Sequence, residues 1–257
     1  MHAGAIPLNR HHLALYLTGE HPCSYLDGRQ ARTLFVDPHA QLDGATYESL
    51  LEQGFRRSGT HVYRPACRGC AACIPARIPV EAFVPNRSQR RNWRHNAADI
   101  RLTAATPSFQ PEHFALYQRY LATRHPGGIM STDATEEAYR RFLVESWGGA
   151  TRFLEMRLGT RLLAVAITDV LARGLSAVYT FFEPAMSRRA LGTFAVLAQI
   201  ETARHQQRPY LYLGYWLHDS PKMRYKEHFR PLEILDGRQW RRVERGESIS
   251  LGEPSRT

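Results

Sequence analysis

Two lysines stand out in a chain that otherwise uses arginine for every side-chain cation. Lys222 and Lys226 are the only lysines; the other 32 of the 34 basic residues are arginine. They close the stretch Tyr210-Leu-Tyr-Leu-Gly-Tyr-Trp-Leu-His-Asp-Ser-Pro-Lys-Met-Arg-Tyr-Lys226. Tyr210 to Leu213 alternate as a strand does, and Gly214 lets the backbone turn or come close to a ligand. Tyr215, His218, Asp219, Lys222, Arg224 and Lys226 then bring hydroxyl, imidazole, carboxylate and cations to one strand end. Mixed α+β scaffolds place sites at such ends. A solvated loop with ordinary charges is the plainer alternative.

The second group is sulfur. Cys67-x2-Cys70-x2-Cys73 joins the distant Cys23, and these are the four cysteines of the chain. A cytosolic protein is a poor place for structural disulfides. Four thiolates can saturate a tetrahedral zinc or an iron–sulfur cluster. The split of one plus three is a weaker signal than two separate knuckles, and small buried thiols are the alternative. The third group is Arg87, Arg90, Arg91 and Arg94, which share one face if residues 87–94 are helical. Asn86 or Ser88 can cap that helix. Four guanidiniums on one stripe beside Trp93 fit a helix that tracks phosphates, or a solvated charged face.

These groups need elements to hold them. Residues 46–54 read as a helix, 55–59 as a basic turn, and 61–64 as a short strand. Beyond residue 97 the texture changes. Residues 99–104 read as a strand, and 111–124 and 135–147 as amphipathic helices joined by a flexible loop at 125–130. Strands are expected at 152–158, 162–170 and 175–182, a helix at 191–205, and strands at 209–214 and 233–235. This order is α+β. It suits an acetyltransferase-like (GNAT-like) C-terminal domain, 98–245, behind a smaller Cys-containing N-terminal domain, 1–97. A polar tail, 246–257, follows.

Composition sets the class. The 257 residues carry a formal charge of +10, with 43% hydrophobic residues, enough for a real core. No apolar run approaches the length of a membrane span. Residues 1–9 lack the pattern of a secretory signal. A soluble, cytoplasmic protein with an anionic partner and no membrane is expected. An acetyltransferase would cradle the CoA pyrophosphate at a helix N-terminus. Here that helix opens Arg188-Arg-Ala-Leu-Gly-Thr-Phe194, and Phe194 stands where a small residue is wanted. That speaks against CoA and leaves a different acyl donor on a related scaffold.

Several ordered motifs then coincide: Pro22-Cys23-Ser-Tyr, Gly54-Phe-Arg-Arg-Ser-Gly59, Tyr63-Arg-Pro-x-Cys67-x2-Cys70-x2-Cys73-Ile-Pro, Ser88-Gln-Arg-Arg-x-Trp93, Tyr179-x-Phe-Phe-Glu-Pro184 and Tyr210-Leu-Tyr-Leu-Gly-Tyr-Trp with Pro221-Lys-Met-Arg-Tyr-Lys226. Over residues ~10 to 240 the chain resembles the arginyl-tRNA–protein transferase family. The likeness is closest to its bacterial branch, the aspartate/glutamate leucyltransferases.

The resemblance implies transfer of leucine from Leu-tRNA to the α-amine of proteins beginning with Asp or Glu, marking them for degradation. Arginine transfer from Arg-tRNA to the same termini is the alternative, and a CoA-dependent N-acetyltransferase a more distant one. It implies no required cofactor. The eukaryotic branch pairs its cysteines differently, and Leu26 stands where that branch has the second cysteine after Cys23. A metal on Cys23, Cys67, Cys70 and Cys73 therefore does not carry over automatically. On this reading Arg56, Arg57 or Arg77 meets the acidic side chain, and Arg87, Arg90, Arg91 and Arg94 meet tRNA phosphate. Tyr215, His218 and Asp219 are candidates for proton handling. Lys222, Arg224 and Lys226 are candidates for the terminal nucleotide or the oxyanion. No G-x-S-x-G elbow occurs, so an acyl-enzyme is not expected.

Overall fold

The computed structural model describes residues 2–8, 11–124, 126–127 and 134–250. The loop expected at 125–130 and the end of the tail fall mostly or wholly outside these residues. In chain order the first part holds β1 (His2–Leu8), β2 (His11–Leu17), β3 (His21–Pro22), β4 (Gln30–Ala31), β5 (Thr33–Val36), α1 (Gly44–Glu52), β6 (Arg56–Ser58) and β7 (His61–Pro65). Five of the strands form an antiparallel sheet in the order β1-β2-β5-β7-β6, and β3 pairs with β4.

Helix α1 starts where the Asp43 carboxylate accepts from the Thr46 amide at 2.7 Å. Its Tyr47, Leu50 and Leu51 share a buried face at i, i+3 and i+4. That face packs on Leu13, Leu15, Leu34, Val36 and Val62 of the sheet. The basic segment expected as a turn is strand β6 instead. The reversal comes one step later, at Gly59, whose φ of +58° suits glycine.

The second part holds β8 (Ile74–Pro79), α2 (Arg87–Ala97), β9 (Ile100–Ala105), α3 (Pro111–Arg124), α4 (Glu136–Tyr139), β10 (Ala150–Leu158), β11 (Arg161–Val170), β12 (Gly174–Phe182), α5 (Leu191–His205), β13 (Tyr210–Trp216), α6 (Pro221–Arg224), β14 (Leu232–Asp236) and β15 (Gln239–Val243). The helix expected over 135–147 is capped by Thr135, runs as α4, and then widens into one π turn, Arg140–Val144. A short 3-10 turn, Tyr225–His228, follows α6.

The eight-stranded sheet runs β15-β14-β8-β13-β12-β11-β10-β9. Of its pairs only β12–β13 is parallel, and it is short: Gly174, Leu175 and Ser176 face Tyr210, Leu211 and Tyr212. Helix α5 covers one face, packing Val196, Leu197 and Ile200 on Ile78, Leu211 and Leu213. Helices α3 and α4 cover the other, with Leu116, Leu121 and Tyr139 against Phe153, Val165 and Phe181. Strand β8 was not expected, because Pro75 and Pro79 argue against a central strand. It pairs fully with β13 but with β14 only at Ala76 and Arg77, which leaves both prolines off that second ladder.

Candidate active site

Strand alternation separates two adjacent arginines. Arg56 lies opposite Tyr63 and Ser58 opposite His61 in the β6–β7 ladder, while Tyr63 also faces Phe35 and Pro65 faces Thr33. These residues therefore share one face of the five-stranded sheet. Arg57, Val62, Leu34 and Val36 take the other face, which is core. A cleft of 410 Å³ opens on the first face, walled by Thr33, Phe35, Ser58, His61 and Tyr63 and closed by Cys23, Tyr25, Cys67 and Cys73.

Arg57 is committed inside the protein. Its guanidinium, 2% exposed, clasps the fully buried Asp169 of β11 at 2.5 and 2.6 Å and donates to the Gly59 carbonyl at 2.8 Å. Thr151, itself held by the Trp147 indole, completes the set. Arg77 is committed as well. It pairs with Glu52 at 2.6 Å and Glu233 at 2.8 Å, and lies between the rings of Tyr210 and Trp240. Neither has a free edge for a substrate carboxylate.

Arg56 differs. It is partly buried, and among the described residues its guanidinium has no hydrogen bond or ion pair. Its guanidinium lies 5.7 Å from the Tyr215 ring centre and 6.0 Å from that of Tyr63. Gly214 makes room for it. At φ +73°, a Cβ there would stand 3.1 Å from Nη1 of Arg56. The same glycine bulges β13: Tyr212 pairs with Arg77 but Gly214 pairs with Ala76. The extra residue turns Tyr215 to the side already faced by Tyr212, toward the cleft sheet. Tyr215 is 1% exposed and donates to the Gly54 carbonyl at 2.9 Å. Burial pushes its phenol well above the ordinary value, so it stays protonated and anchors β13.

Lys226 reaches the Tyr215 backbone from the turn after α6. It is 3% exposed, donates to the Tyr215 carbonyl at 2.5 Å, and reaches Met223 Sδ at 3.4 Å. Burial, reinforced by the Arg56 charge, brings its amine down to about 7. The amide of Gln89 in α2 donates to the His228 carbonyl at 3.0 Å, tying this turn to the arginine helix. On that helix Arg87, Arg90, Arg91 and Arg94 are all exposed, and among the described residues none has a carboxylate partner. His218 and Asp219 are 71% and 75% exposed and 3.9 Å apart. Lys222 and Arg224 are exposed on α6. The structure thus gathers Tyr215, Arg56 and Lys226, and leaves His218, Asp219, Lys222 and Arg224 on the solvent side of the same strand end.

A family model for the N terminus of arginine-tRNA-protein transferases matches residues 21–91, and one for the C terminus matches residues 112–236. The chain belongs to this transferase family. The aspartate/glutamate leucyltransferase of Hahella chejuensis is 49% identical over 228 residues, spanning 89% of this chain and 96% of the relative. Those of Chromohalobacter salexigens and Pseudomonas putida (strain W619) are 51% and 50% identical over 232 residues each. The L-PGS structure from Bacillus licheniformis aligns with a TM-score of 0.44 at 11% identity, covering 67% of this chain and 49% of that one.

Within this transferase Cys23, Cys67 and Cys73 line the cleft. All four are free thiols. Burial first, then the neighbouring Cys23, Cys67 and Cys70, push the Cys73 thiol up to about 12. Cys67 Sγ accepts from the Arg32 amide at 3.4 Å and faces the Arg32 carbonyl at 3.7 Å. Near neighbours are not yet ligands, however. Among the described residues no group of three or more His, Cys, Asp or Glu side chains is placed to hold a metal ion.

The sequence reading missed Tyr25 and Tyr63 as walls of the site. The signal was the hairpin itself: a reversal at Gly59 sets Tyr63 opposite Arg56. Phe194 is also not the ring that crowds Gly192 at the start of α5. Its ring is fully buried against Trp93, and it is Phe182 that stands beside Gly192, 3.3 Å from where a Cβ would lie.

Proposed function

We propose that the chain transfers leucine from Leu-tRNA to the α-amine of proteins that begin with Asp or Glu. One observation carries the acidic specificity: Arg56 is a partly buried guanidinium beside an open cleft with no carboxylate of its own. A buried cation is costly to leave uncompensated, so an incoming carboxylate is the natural partner. An Asn or Gln side chain cannot supply that charge. The ~50% identity to aspartate/glutamate leucyltransferases supports leucine as the transferred residue.

In the reaction the α-amine attacks the ester carbonyl of the aminoacyl-tRNA. The C–N bond forms, the C–O bond to the terminal ribose breaks, and the amine's proton ends on the released hydroxyl or solvent. An α-amine titrates near ~8, so part of it is already nucleophilic at neutral pH. The ester is activated, so placement of the two reactants dominates. His218 and Asp219, exposed past the end of β13, are our candidates for proton relay. Lys222 and Arg224 face the terminal nucleotide, and Arg87, Arg90, Arg91 and Arg94 the phosphates further along. Residues 98–245 serve as the GNAT-like part, and residues 1–97 supply Arg56 and the cleft.

The test offers labelled Leu-tRNA, Arg-tRNA and acetyl-CoA in parallel with an Asp-starting peptide. Leucine should enter the peptide. Label entering from acetyl-CoA alone would overturn the reading; label from Arg-tRNA alone would keep the class and change the residue.

A further inference from the structure

We propose that Arg56 and Lys226 act together as one receptor for the side-chain carboxylate of the incoming Asp or Glu, and that filling it brings a proton onto Lys226. The proposal rests on the acidic specificity proposed above and names how that site is built. The two cations come from separate elements, β6 and the turn after α6, and meet at Tyr215: the Arg56 guanidinium lies 5.7 Å from its ring centre and Lys226 donates to its carbonyl.

The surroundings of Lys226 contain one full charge. Arg56 faces it from β6, the Cys73 thiol from the segment before β8, and the Tyr215 carbonyl from β13. Met223 and Tyr225 touch it from its own segment. Cys73 is neutral at ordinary pH, because its thiol is held near 12. The adjacent carboxylate, Glu227, is turned away to the Trp216 indole at 3.2 Å. Burial pushes the phenols of Tyr25 and Tyr215, beside Arg56, above their ordinary range, so both are neutral. No described carboxylate reaches either cation by ion pair or hydrogen bond.

A lysine suits this position better than a second arginine. An empty receptor with two permanent buried charges would repel itself. Lys226 sheds its proton near pH 7 and leaves the empty site with the Arg56 charge alone. A carboxylate within reach favours the ammonium by about one to three pH units. At about pH 8 the free enzyme holds little of that proton and the complex holds half of it or more. Binding of acidic peptides must therefore weaken as pH rises from about 7 to 9.

Calorimetry on the full-length protein without tRNA reads this directly. Asp- and Asn-starting peptides of otherwise equal sequence are titrated at about pH 8 in HEPES and in Tris, whose ionisation enthalpies differ. Both peptides carry the same α-amine, so its proton change cancels in the difference. We expect uptake of about 0.4–0.9 proton more for the Asp peptide. Lys226→Met should abolish the excess, and Lys226→Arg should keep Asp preference without uptake. Arg56→Met should cost Asp affinity about 10- to 100-fold. Far-ultraviolet dichroism confirms that each variant is folded. Excess uptake below about 0.2, excess uptake that survives Lys226→Met, or no Asp preference in the wild type overturns the proposal. Because tRNA is absent, these failures are separate from a failure of leucyl transfer.

Discussion

Lys226 gives the residue scale a signature in stability. Its folded amine titrates near 7, against 10.5 for the ordinary group. Below about pH 7 both states hold the proton and the cost of burying the ammonium is fully present. Between 7 and 10.5 the unfolded chain binds more protons, so stability rises with pH. Urea unfolding at pH 7 and pH 9 should show a gain in the wild type that Lys226→Met lacks. An equal gain in both would remove Lys226 as the cause. Gly214 makes a second residue-scale test. Gly214→Ala adds a Cβ 3.1 Å from Arg56 at a φ of +73°. The strain should cost about 1–3 kcal/mol and displace the guanidinium. The variant should lose Asp preference more than it loses transfer to an Asn-starting peptide, measured as kcat/KM for each.

At the scale of elements, the arginine helix is the clearest case of what a sequence can reveal. The spacing 87, 90, 91, 94 and the capping residue Asn86 were sufficient, and Gln89 completes a reciprocal capping box. Reversing Arg87 and Arg91 to Glu should leave folding intact, since both side chains are exposed. The log–log salt slope of tRNA binding should fall by about one to two, with weaker affinity at every salt. An unchanged slope would mean a solvated face. The elements around Arg56 were harder to read. A three-residue strand beside glycine looks like a turn, and without the strand there is no alternation to tell Arg56 from Arg57. Strand β8 was hidden by its prolines. The α3 and α5 helices, whose apolar faces repeat for three or more turns, were legible to their ends.

At the scale of the molecule, one committed arginine joins the two sheets and the other ties the larger sheet to α1. Arg57 links β6 to β11, and Arg77 links β8 to α1 and β14. Spacing in sequence cannot reveal such pairs, because Arg57 and Asp169 are 112 residues apart. Arg57→Ala leaves Asp169 buried without its partner and should cost about 3–5 kcal/mol in urea unfolding. The folded fraction should keep the wild-type Asp-to-Asn ratio. Arg56→Met should do the reverse, sparing stability and removing the ratio. The decisive measurement is therefore leucine transfer from Leu-tRNA by wild type and Arg56→Met, each with Asp- and Asn-starting peptides. The account predicts a wild-type preference for Asp of about 10- to 100-fold in kcat/KM, and near parity in the variant. A preference that survives Arg56→Met, or no leucine transferred by the wild type, would contradict it.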